Sequence, residues 1–198
     1  MDAYRLPRKL RVSYPPGFTP AQLATSFFNS QEFNAKGRFA AGLYVGILGR
    51  DAEYAGWLFQ RDALQGLPQI TLVSNFLNSA EFHLKFGYPS DPEFVRIMYR
   101  NILLREPGQA EVDFQASALQ SGTSREQLAL NFLLSQEFAI GTGPRLTAFI
   151  LHATILMRDP NQAEFNEVAN GLSSGKSVLD LFDGKVNGQE HKFWIVNP

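Results

Sequence analysis

Two charged residue types recur along this chain at a spacing that invites a chemical reading. A seven-residue motif ending in Glu-Phe occurs as FFNSQEF at 27–33, FLNSAEF at 76–82 and FLLSQEF at 132–138, with a fainter KVNGQEH at 185–191. Its glutamates, Glu32, Glu81, Glu137 and Glu190, lie 49, 56 and 53 residues apart (81−32, 137−81, 190−137), a period that signals repeated supersecondary units. Arginine recurs in step, each time followed by an acid: Arg50-Asp51, Arg105-Glu106 and Arg158-Asp159. A guanidinium offers a planar fork of donors that matches a carboxylate. The recurrent pair is therefore either a repeated ligand site or an ion pair fastening a helix end to a corner. The fastener is preferred, because a fold-specifying repeat needs every corner held. It predicts that at least one motif Glu touches a repeat Arg or caps backbone amides.

Other candidate chemistry is weaker. NGLSSGKS at 170–177 has glycines too close for a phosphate loop, and no strand precedes it. DPNQAEFNE from Asp159 begins with alternating oxygen ligands but lacks the sixth-position Gly and twelfth-position Glu of a calcium hand. Asp159 reads better as a helix N-cap. His83, His152 and His191 lack metal spacing, and no Ser-His-acid set assembles. Tyr44, Trp57, Phe59 and Tyr99 are candidates for a sugar-stacking platform, although their helical spacing fits a core better. No catalytic, cofactor or metal residue is assigned.

Composition narrows the classes further. The 198 residues suffice for a real core, and seventeen Phe must mostly be buried in it. Eighteen basic and nineteen acidic residues leave a net charge of −1, which gives no electrostatic footprint for nucleic acid. Absence of cysteine excludes disulfides and thiolate chemistry. No stretch has the length and apolarity of a spanning helix, and the N-terminus lacks the apolar core of a signal peptide. Compartment stays unknown.

The elements that must position the motif are helices. Phe94, Ile97, Met98, Ile102 and Leu103 follow the period of one buried helical face, as do Phe165, Val168 and Leu172 in a second helix. Gly66, Gly122 and Gly175 are placed to end that second helix. A third helix opens on Thr123 with Glu126, a capping box, on Thr19-Pro20 with Gln22, and on Pro68. The motif falls where this third helix runs out. Ser30, Ser79 and Ser135 should cap a short corner turn, Phe33, Phe82 and Phe138 should fold it onto the core, and Gly37, Gly87 and Gly141 should stop it. Each Glu sits near the positive end of that turn, worth ~0.3–1 kcal/mol when exposed.

The fold is therefore expected to be all-α, with tandem three-helix units packed into one domain. A basic arm at 1–18, carrying Arg5, Arg8, Lys9 and Arg11, precedes a repeat domain at 19–198. That domain divides into a half-repeat 19–38, units 39–93 and 94–146, and a degenerate unit 147–198, with boundaries at DPEF and GTGPR.

FAAGLYVGILGRDAEYAGWLFQRDALQG from Phe39, followed by FLNSAEF, resembles the bacterial family of domain of unknown function DUF4214. In that family an aromatic-led helix ends in Leu-Tyr-x-x-x-Leu-Gly-Arg-acid, and a later helix closes on Phe-Leu-x-Ser-x-Glu-Phe. The resemblance is strongest over Phe39–Phe82 and decays toward the C-terminus. The second unit has Leu104 where the family has Gly, and the third keeps little beyond Arg158, Pro160, Gly175 and Glu190. The resemblance implies a helical module of surface-layer, secreted or calcium-associated repeat proteins, and more faintly a likeness to phycobilisome linker domains, with no catalytic residue. The expected function is a non-enzymatic interaction or assembly module acting on a protein partner or on itself. The alternative is a glycan-binding or accessory module of a surface-polysaccharide system.

Overall fold

A computed structural model describes residues 22, 25–26 and 29–181. The basic arm, Thr19, Pro20, Phe27 and the fourth motif copy with Glu190 and His191 lie outside them. Among the described residues every regular element is helical and none is a strand. The fold is all-α.

The first helical run is continuous but changes pitch three times. It consists of α1 (Gln31–Phe33), a π-helical turn (Asn34–Arg38), α2 (Phe39–Leu43) and a second π-helical turn (Tyr44–Leu48). Then follow α3 (Tyr54–Ala63), α4 (Gln69–Leu77), α5 (Ala80–Phe86), α6 (Asp91–Ile102) and α7 (Gln109–Gln120). The chain continues with α8 (Arg125–Leu133), the twenty-residue α9 (Gln136–Ile155) and α10 (Gln162–Ser173).

The apolar periodicity sets the packing. In α6, Phe94, Val95, Ile97, Met98, Tyr99 and Ile102 are buried while Arg96 and Arg100 on the other face pair with Glu93. The Tyr44–Leu48 turn packs on α6, α4 on α8, and α9 on both α2 and α10, so one core runs through all three sequence units. Its largest member, Trp57, is fully buried, edge-on to Phe149 at 6.0 Å. Its Nε1 donates to the Gly37 carbonyl at 2.8 Å, so the indole is buried without an orphaned donor.

Several expected stops are absent. Gly37 lies inside the first π turn and Gly141 inside α9, and only Gly87, at φ 66°, ends its corner. GTGPR, expected as a boundary loop, is helical with Pro144 inside α9. A glycine ends a helix only where the next element requires the chain to turn. Here the helices run on through residues 38–39 and 146–147. Gly122 and Gly175 do take positive φ, at 106° and 91°, but Gly66 does not. α3 instead closes with N–H groups of Gln65 and Gly66 donating to Asp62 and Ala63 carbonyls.

The left-handed position that matters most comes just before each repeat Arg. Gly49 (φ 66°), Leu104 (φ 57°) and Met157 (φ 53°) all occupy it. The Tyr44 carbonyl accepts from Arg50 N–H at 3.2 Å, and the Tyr99 carbonyl from Arg105 N–H at 3.4 Å, across this turn. A residue with a Cβ is strained there, which accounts for a Gly at that place in the pattern noted above.

Candidate functional site

The motif residues build the same corner more than once. At the end of α4 the Ser79 hydroxyl donates to the Phe76 carbonyl at 2.7 Å and accepts from Phe82 N–H at 3.1 Å. Ser135 repeats both bonds with Phe132 and Phe138, and Ser30 accepts from Phe33 N–H at 3.2 Å. One hydroxyl thus ends one helix and caps the next. Phe33, Phe82 and Phe138 are all buried.

The start of α8 differs by one residue from the Thr123-based box. Ser124 is the N-cap, accepting from Gln127 N–H at 3.1 Å, and the Glu126 side chain makes no return bond. Asp159 likewise does not cap its own helix. Asn161 caps α10 in a box with Glu164, while Asp159 Oδ1 accepts from Tyr54 N–H at the start of α3.

Among the described residues, two motif glutamates meet a repeat arginine. Arg50 Nε and Nη2 donate to the two carboxylate oxygens of Glu81 at 2.5 and 2.9 Å. Arg105 Nε donates to Glu137 Oε1 at 2.6 Å. Each guanidinium also lies over a tyrosine, Arg50 over Tyr44 at 5.1 Å and Arg105 over Tyr99 at 4.9 Å. Each tyrosine in turn meets edge-on the Phe that opens the motif, Tyr44 on Phe76 and Tyr99 on Phe132. Helix end, corner and core are thereby linked through one side chain. Glu32, with no repeat Arg before it in the sequence, pairs with Lys36 one turn on.

Two members of the site lie outside both recurrent motifs. Glu111 takes both Nη groups of Arg105 at 2.8 and 2.9 Å, and Glu164 takes both Nη groups of Arg158 at 2.6 and 2.8 Å. The Arg-x-x-x-x-x-Glu spacing, shared by Arg105 with Glu111 and Arg158 with Glu164, was the signal available; the first unit breaks it with Gly56. Hydrogen bonds from Arg105, then from Gly108 N–H, hold the Glu111 carboxyl down at about 2. Arg158 does the same for Glu164, also at about 2. Arg50 lowers Glu81.

The acids directly after each repeat Arg serve other partners. Asp51 pairs with Arg145 at 2.6 Å and Glu106 with Arg100 at 2.7 Å. Among the described residues no group of three His, Asp or Glu is placed to hold a metal ion. His83 stacks on Tyr88, and His152, buried in α9, sits at Nδ1 2.8 Å from the Ala148 carbonyl. Tyr44, Trp57 and Tyr99 are all buried, whereas Phe59 is 70% exposed. The four do not form a common platform.

One comparison with known proteins lands on these corners. Residues 73–142 match the model of the domain of unknown function family DUF4214. The DUF4214 segment runs from Val73 in α4 to Thr142 in α9, so it contains Arg105, Glu111 and both paired motif glutamates. It overlaps the stretch Phe39–Phe82, where the resemblance looked strongest, only over its last ten residues, and it carries Leu104 and no Trp. No curated protein and no solved structure matches the chain. No helix among the described residues is long and apolar enough to cross a membrane.

Proposed function

We propose that this chain is a non-catalytic helical interaction module of a bacterial protein, binding a protein partner or a second copy of itself. The observation that carries the reading is the division of labour at equivalent positions. Recurrent charges are paired with one another at the corners, while large apolar side chains recur unpartnered on the outside. Phe59 in α3 and Phe114 in α7 stand the same distance past Arg50 and Arg105, and they are 70% and 72% exposed. Leu84 and Ile140, each three residues past a motif Glu, are exposed as well. Exposed apolar side chains in register mark a surface built for association more than for turnover.

The glycan alternative needs exposed aromatics in a groove, and burial of Tyr44, Trp57 and Tyr99 weighs against it. Immobilised protein incubated with lysate and envelope fractions of the source cell, alongside light scattering of the free protein, separates the readings. Retention of a defined protein or self-association is expected, and Phe59→Ser with Phe114→Ser should reduce either. Capture of polysaccharide alone would overturn the proposal.

A further inference from the structure

Corner α5 is the one that stops at a left-handed glycine, and there the chain leaves a cleft. Gly87 ends α5 at φ 66°, and beside it a cleft of about 230 Å³ lies between the end of α4, α5, the start of α6 and the start of α8. Its walls include Phe82, His83, Tyr88, Pro89, Arg125 and Glu126. At the next corner the chain continues as the twenty-residue α9.

Three features of this cleft belong together. Tyr88 is 86% exposed, with its ring stacked on His83 at 4.3 Å between centroids and 23° between planes. Arg125 is already matched, bonded to Asp91 and lying over the Phe94 ring at 4.9 Å. Glu126 is half-buried and makes no hydrogen bond or ion pair, although every other carboxylate among the described residues has a partner. Its freedom follows from the one-residue shift of the α8 cap. The helix N-terminus favours its charge, and a half-buried carboxylate without a partner can accept an incoming cation.

The rest of the molecule shows what that cation would be. Arg50, Arg105 and Arg125 each lie over an aromatic face while donating to a carboxylate. The Tyr88 and Glu126 cleft has the aromatic face and the carboxylate, and its one guanidinium, Arg125, is already taken by Asp91. We propose that it is the docking site for an arginine side chain of a protein partner, with the guanidinium on Glu126 and stacked against Tyr88. The cleft charge agrees, since Asp91 neutralises Arg125 and Glu126 is left over. The proposal rests on the interaction-module reading and names the chemistry of the partner.

The probe is N-acetyl-arginine N-methylamide, titrated into the whole isotope-labelled chain and followed by amide NMR shifts at low salt. Saturable shifts centred on residues 83–90 and 124–127, with a dissociation constant on the order of millimolar, are expected for one charge-assisted contact plus one stacked ring. The citrulline analogue, which keeps the shape without the charge, should bind at least about tenfold more weakly, as should Glu126→Gln. Tyr88→Ala should also weaken binding, and thermal unfolding of each variant checks that it is folded. Equal binding of the citrulline analogue, unchanged binding by Glu126→Gln, or no saturable shift at the cleft would each overturn the proposal. Arginine binding without capture of a protein or self-association would sink the module reading and leave the cleft. A partner held equally by Glu126→Gln would do the reverse.

Discussion

Leu104 places its Cδ1 3.7 Å from the point where Gly141 would carry a Cβ. The equivalent pair in the preceding unit is reversed. There the left-handed residue is Gly49, and Lys85 from the corner helix comes within 2.9 Å of where a Cβ would stand, donating through Nζ to the Leu48 carbonyl at 2.6 Å. One corner thus spends a glycine on the turn and caps the helix end with a lysine. The other strains a leucine and opposes it with a glycine. Leu104→Gly should therefore raise stability by about 0.5–1 kcal/mol, the left-handed penalty less the added freedom of the unfolded chain. Gly49→Ala should lower it by about 1–2 kcal/mol, since it meets both the positive φ and the Lys85 ammonium. Urea unfolding midpoints decide, and a Leu104→Gly variant weaker than the parent would refute the account.

Glycines inside helices should divide by what stands over them. A Cβ on Gly46, within the second π turn, would lie 2.5 Å from Leu133 Cδ2 and 3.2 Å from Ile102 Cγ1. Both neighbours are core side chains with little room to retreat, so Gly46→Ala should cost about 1–3 kcal/mol. Gly141 is exposed in α9, and its nearest neighbour is at ordinary van der Waals distance. Gly141→Ala should stabilise by about 0.5–1 kcal/mol through helix propensity. Thermal unfolding of the two variants should move in opposite directions.

Acid should loosen the corners in a defined window. Glu111 and Glu164 have carboxyls held at about 2 by their arginines, against 4.5 for the free group. Because the folded value is the lower one, the stabilisation is whole above pH 4.5 and disappears as the pH falls toward 2. Both side chains keep some contact with water, Glu111 more than Glu164, so screening reduces the effect. The urea midpoint should fall as pH drops through that range. Glu164→Gln should start lower at pH 7 and fall less steeply, and an unchanged slope would mean that other carboxylates carry the transition.

The helices and the serine corners were legible because they rest on local rules. A 3.6-residue apolar period and a Ser followed three residues later by a Phe N–H need nothing from elsewhere in the chain. Glycine misled where it was read as punctuation, since Gly37 and Gly141 mark close packing or mere tolerance within helices, while Leu104 and Met157 turn the chain with no glycine at all. The Arg–Glu pairs were suggested by recurrence. Glu111 and Glu164 were not, because only two units share them. The unpaired Glu126 at the Tyr88 cleft was hidden because it depends on which residue, Thr123 or Ser124, caps α8.

Contacts between the first and third units had no local signal, and they yield the sharpest test of how the chain closes on itself. Asp159 Oδ1 accepts from Tyr54 N–H at 2.5 Å across 105 residues, and Asp51 pairs with Arg145 across 94. Glu53, the N-cap of α3, makes no side-chain cap bond of its own. Asp159 is therefore a cap supplied in trans from another unit, and Asp159→Ala should cost about 0.5–2 kcal/mol as an ordinary cap does. Unlike an ordinary cap, it should act on two elements that are distant in sequence. Amide exchange should quicken at the start of α3 as well as around residue 159, with the α7–α8 region unchanged. Acceleration confined to residues near 159 would show that the long-range bond does not form.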